Sequence, residues 1–130
     1  MESRAALIAA AREFNRGRYF EAHEVLETAL DDLPDEQWEL FIGLIQIAVG
    51  YHKVTQQLWD GAARMLGIGL EKLDELGPDF GDVRLADLRE RARRDRAALG
   101  ARSFDPGAFV RHPPRLRPLP LGGQVKTRPG

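Results

Sequence analysis

Apolar residues recur at helical spacing through the first hundred positions, with polar residues filling the gaps. Leu7, Ile8, Ala11 and Phe14 predict a first helix, capped by Ser3 and ended by Asn15-Arg16-Gly17, where Gly17 suits a left-handed turn. A second helix from about Tyr19 to Asp32 carries Ala22, Leu26, Ala29, Leu30 and Leu33 in one arc, and the short link makes it an antiparallel neighbour of the first. Pro34 stops it and opens a third. That third helix, about 35–57, is apolar nearly all round, as expected of a rod surrounded by others. Its exceptions Glu39, Gln46 and Lys53 form one stripe, beside which Gly43 and Gly50 would admit a close neighbour. A fourth helix near 60–76 contains Gly61, Gly67 and Gly69, each lowering helix propensity by about 1 kcal/mol relative to Ala, which implies tight packing on the third. A fifth starts at the cap Asp82 and keeps a thin stripe of Val83, Leu85, Leu88, Ala92 and Leu99 among dense charges, with Asp87–Arg91 and Glu90–Arg94 as i,i+4 pairs. Beyond Gly100, Asp105-Pro106-Gly107, Pro113-Pro114, Pro118 and Pro120 disfavour helix and predict an extended strap. No segment has strand periodicity.

These elements predict an all-α fold: a compact, repeat-like bundle of about five antiparallel helices with a Pro-rich C-terminal strap. The spacing from the first helix to the third is near the tetratricopeptide period of about 34, but that from the third to the fifth is longer and the Trp/Leu-Gly/Tyr pattern is missing. The expected division is a helical domain over 1–100 and a basic Pro-rich tail over 101–130, packed on that domain. A chain of 130 residues, 43% hydrophobic and 30% charged, suits one globular core. The longest apolar run, Leu40 to Tyr51, is about half the ~20 residues that span a bilayer, and no leader pattern opens the chain, so the expected location is the cytoplasm and no membrane is involved. With no cysteine, thiolate metal sites and disulfides are excluded.

Charge is uneven. Residues 101–130 carry six basic residues and one acid, although the whole chain is −1. The tail's apolar anchors Phe104, Phe109, Val110, Leu116, Leu119 and Leu121 favour packing across the acidic body over binding nucleic acid or lipid. Glycine loops for phosphate and a serine on a strained turn are absent as motifs.

The strongest lead to chemistry is His23 with Glu27, one turn apart on the second helix, where imidazole and carboxylate reach each other or a common ligand. The pair supplies two ligands of the three or four that zinc takes, so a divalent metal needs completion from Glu24, His52, His112 or a second subunit. Tyr19, Phe20, Glu24, Gln46 and His52 are the candidate lining of the same pocket, with Gln46 either facing the pair or sharing a solvated stripe with Glu39 and Lys53. The structural alternative is a Glu27 carboxylate accepting a hydrogen bond from His23; truncating His23 would then cost about 1–3 kcal/mol.

The stretch Phe14 to Glu27 (FNRGRYFEAHEVLE), followed by Gly43 to Ala48 (GLIQIA) and Gly61-Ala62, resembles the bacterial and archaeal family catalogued as domain of unknown function 309. Its hallmark is H-x-x-x-E-x-x-[WY]; His23 and Glu27 match, while Leu30 stands in place of the aromatic residue. The resemblance covers roughly 5–76 and implies an all-helical fold, a shared site and metal binding there, but no reaction. Two functions remain as expectations: a His/Glu pocket for a divalent metal or small polar ligand, or a non-catalytic helical interaction module in which the pair is structural. Self-association into a homo-oligomer fits the apolar surplus.

Overall fold

Three helical hairpins, each turning through a residue with left-handed backbone, set the order of elements. The computed structural model describes residues 2–80 and 83–119. The first hairpin is α1 (Ser3–Asn15) and α2 (Tyr19–Ala29), extended by a 3-10 turn at Leu30–Asp32; the second is α3 (Asp35–Thr55) and α4 (Trp59–Asp74); the third is α5 (Ala86–Gly100) and the short α6 (Pro106–Arg111). Their joints hold Gly17 at φ 79°, Gln57 at 62° and Arg102 at 59°. At each joint the next amide bonds a carbonyl five residues back: Arg18 to Glu13 at 2.9 Å, Leu58 to Lys53 at 3.0 Å, Ser103 to Ala98 at 2.8 Å. This is the Schellman closure, which satisfies the last carbonyls of a helix while reversing the chain. Gly17 takes the left-handed position without strain, as the sequence predicts; Gln57 and Arg102 take it with a side chain present.

The first two hairpins are versions of one unit. Buried Leu7, Ala10, Ala11, Phe14, Ala22, Leu26 and Ala29 recur forty residues later as buried Ile47, Gly50, Tyr51, Val54, Ala62, Leu66 and Gly69. The tetratricopeptide period is too short to expose this offset. The interface between α3 and α4 is close because of its glycines. A Cβ on Gly69 would stand 3.0 Å from the Gly43 carbonyl oxygen, and one on Gly50 would stand 2.8 Å from Leu66 Cδ2.

Several expectations are corrected. Among the described residues the all-α bundle has six α-helices where about five are expected, because Asp105-Pro106-Gly107 starts a helix: the Asp105 carboxylate accepts from the Ala108 amide at 3.1 Å, and proline at the first position needs no donor. Glu2, not Ser3, caps α1, accepting from the amides of Arg4 and Ala5, and Ile8 faces outward. The expected cap Asp82 lies outside the described residues; α5 begins at Ala86. Short strands β1 (Asp79–Phe80), β2 (Val83–Arg84) and β3 (Arg117–Pro118) form an antiparallel sheet in that order. Two residues per strand is too short for periodicity to reveal.

The segment after α6 is held chiefly by its backbone. Asn15 Nδ2 donates to the Leu116 carbonyl at 3.0 Å while the Leu116 amide donates to Asn15 Oδ1 at 2.8 Å, and Arg4 donates to the Leu119 carbonyl at 2.8 Å. Arg117 pairs in register with Arg84, and Pro118 with Val83. Leu116 and Phe109 are buried, whereas Val110 is exposed. Pro120, Leu121, Lys126 and Arg128, assigned above to the strap, lie outside the described residues. Among the described residues no helix is long and apolar enough to cross a membrane.

Candidate functional site

Closure of the first joint at Gly17 starts α2 at Tyr19 and turns Phe20 and His23 toward the C-terminal end of α3. The Phe20 ring, 43% exposed, lies 5.0 Å from the His23 ring and 5.1 Å from the His52 ring. His23 Nδ1 is 2.8 Å from the Phe20 carbonyl. A carbonyl only accepts, so Nδ1 carries the proton, and in the neutral ring Nε2 carries the lone pair. That nitrogen faces Glu27 Oε1 at 3.7 Å. Two acceptors at that distance make no hydrogen bond, so the expected His23-to-Glu27 bond is not formed by a neutral ring. Glu27 is also mostly in solvent, its side chain 62% exposed against 16% for His23. The pair is therefore half turned inward.

The other predicted lining residues do not converge on it. Tyr19 is buried in a cluster of rings, 5.0 Å from Phe14, 5.6 Å from Tyr51 and 6.0 Å from Phe109, and burial pushes its hydroxyl up to about 12. Glu24 opens on a different cleft, between α1 and α2, with Glu13, Glu21 and Asp32. Gln46 is partly buried and its Oε1 has no hydrogen-bond partner, so it neither bonds the pair nor lies on a fully wet stripe. His52 is half-buried against Phe20 and shares a shallow cleft with Tyr19, Phe20 and Thr55. His112 lies at the end of α6, on a cleft with Asp95. Among the described residues no three His, Asp or Glu side chains gather as a metal would require of the protein alone.

A second polar centre escaped the sequence reading. Asp95, on the expected wet cover helix, is 6% exposed. Its Oδ2 accepts from the Tyr51 hydroxyl at 2.7 Å and from Arg91 Nε at 2.8 Å. Arg91 thus pairs forward along α5 with Asp95, in place of the expected Asp87. Phe109 of α6 stacks on Tyr51 at 5.7 Å and 22°, helping to keep water from the pair. Burial, and then the Asp95 carboxylate, raise Tyr51 well above the usual tyrosine value. The signal available was the register of Leu88, Ala92 and Leu99, which places position 95 on the inner stripe of α5.

Fold and site together define a small bundle of helical hairpins that carries two polar pairs at i,i+4 spacing and no preassembled metal-ligand set among the described residues. Residues 7–65 match the family described as a domain of unknown function, DUF309. The match spans α2 and most of the two repeated hairpins. A comparison with curated proteins found no match.

Proposed function

We propose that the chain is a non-catalytic helical protein-interaction module, docking through the end of the bundle where the first two joints meet. The observation that carries this is exposed apolar surface: Phe20, on a cleft with His52 and Thr55 of α3, and Leu58 and Trp59, 49% and 36% exposed, on a cleft at the joint that follows α3. Large side chains left in water at adjacent positions mark surfaces that bind protein, and aromatic residues dominate binding energy there. His23 and His52 then act as positioning residues that hold Phe20 outward. The paired substitution Phe20→Ser with Leu58→Ser tests this. Cross-linking in the source cells should lose the partners captured by the parent chain while the variant keeps its helical spectrum; unchanged capture contradicts the proposal.

The bond from Nδ1 to the Phe20 carbonyl favours a second reading. Metal-bound histidines typically hold their other ring nitrogen in this way. Ligand atoms about 2.1 Å from a tetrahedral zinc stand about 3.4 Å apart, close to the 3.7 Å between Nε2 and Oε1. His23 and Glu27 thus fit two positions of a divalent cation whose other ligands come from water or a partner. Calorimetric zinc titration of the untagged chain separates the readings. The module predicts no binding that depends on His23; stoichiometric binding abolished by His23→Ala establishes the cation site instead.

A further inference from the structure

Asp95 is the single charged residue buried among those described, and only half of its carboxylate is used. Oδ2 takes both hydrogen bonds, from Tyr51 and Arg91, and Oδ1 takes none from a described residue. Arg91 likewise commits Nε to Asp95, and its two terminal nitrogens make no hydrogen bond to a described residue. None of these open atoms is among the fully buried partnerless ones, so each can meet a ligand that enters from solvent. Here the open groups do not abut packed core. Both residues line a cleft of ≈ 460 Å³ between α5 and α6, with Phe104 and Phe109 as apolar walls and Arg94 and Ser103 beside them.

We propose that this cleft binds a free α-amino acid with an apolar side chain. A few convergent polar groups set in an apolar cavity of ~300–1,000 Å³ are the usual form of a small-molecule site. Asp95 Oδ1 offers an anionic acceptor for the ammonium group. The free nitrogens of Arg91, with Arg94 one turn further along the helix, offer the fork that recognises a carboxylate. The rings of Phe104 and Phe109 receive the side chain. An amine or an acid alone satisfies only one half of this set. Phe20, Leu58 and His23 of the docking face do not line the cleft, and the two regions meet only where Trp59 lies 5.8 Å from the Phe104 ring.

The test is titration of the full chain with L-phenylalanine and with L-leucine, using phenethylamine and acetate as half-ligand controls, followed by amide chemical shifts. Saturable shifts should appear in α5 and α6, with each amino acid binding about tenfold or more tightly than either control. Arg94 is exposed, so Arg94→Ala should keep the fold and weaken binding by about tenfold or more. Absence of saturable shifts with both amino acids, shifts confined to other helices, equal binding of a half-ligand, or unchanged affinity in Arg94→Ala would each overturn the proposal. Where Asp95→Asn remains folded, it should also lose binding; retained binding counts against it.

Discussion

His23–Glu27 and Arg91–Asp95 have the same covalent plan, a basic side chain four residues before an acid on an amphipathic helix, and basic members about equally covered, yet they differ in separation and in the burial of the acid. The first pair stands 3.7 Å apart with its carboxylate 62% exposed; the second stands 2.8 Å apart with its carboxylate side chain 9% exposed. Spacing brings the partners to one face of a helix, and what covers that face sets the strength of the interaction. Over Glu27 there is solvent, which screens the pair. Around Asp95 stand α3, which supplies the Tyr51 hydroxyl, and α6, which supplies Phe109 over the Tyr51 ring. Removing one member of such a buried pair strands the other, whereas removing one member of the exposed pair returns the other to water.

The sharpest way to break this comparison is to delete the buried acid. Asp95→Ala leaves the Tyr51 hydroxyl and the Arg91 guanidinium without their acceptor, and we expect a loss of about 3–5 kcal/mol in urea unfolding. A loss below about 1 kcal/mol would mean that water reaches the cluster and that the two pairs are alike. Next in size is Asn15→Ala, which removes both bonds to Leu116 and should cost about 1–2 kcal/mol. It should also speed hydrogen exchange in α6, since that segment helps to enclose Tyr51 and Asp95; unchanged exchange would uncouple the strap from the buried pair.

Alkaline unfolding reports on the same enclosure. Tyr19 and Tyr51 have raised values in the fold, so in each the neutral form is the one that folding favours. Their contribution to stability is complete below the unfolded value near 10 and is lost as pH rises toward the folded values, about 12 for Tyr19 and well above the usual tyrosine value for Tyr51. Stability should therefore fall above pH 10, with a smaller fall in Tyr51→Phe; early tyrosinate absorbance in the folded chain would show the cluster to be wet. The smallest effect belongs to the exposed pair. Glu27→Ala should cost under about 0.5 kcal/mol, and His23→Ala under about 1 kcal/mol, below the 1–3 kcal/mol that a buried carboxylate would impose.

The pattern of this comparison explains what could be read from the chain. The register of α1 to α4 and the left-handed turn at Gly17 follow from local spacing and glycine chemistry, and local spacing also brings His23 near Glu27. Asp95 was obscured because its burial depends on Tyr51 and Phe109, which are remote in sequence, and because α5 is so charged that Arg91 had Asp87 as an equally good partner by spacing. Asp105-Pro106-Gly107 predicts extended chain because proline and glycine disfavour a helix interior; the Asp105 cap and the burial of Phe109 start a helix there instead. The forty-residue repeat is carried by buried small and large positions, such as Ala10 with Gly50 and Leu26 with Leu66, and only burial picks those out.

A pair of double-mutant cycles in urea, Arg91→Ala with Asp95→Ala and His23→Ala with Glu27→Ala, measures the difference between the two pairs most directly. We predict a coupling of about 1.5–3 kcal/mol for the enclosed pair and under about 0.5 kcal/mol for the exposed one. Equal couplings, or a larger one for His23 with Glu27, would contradict the account.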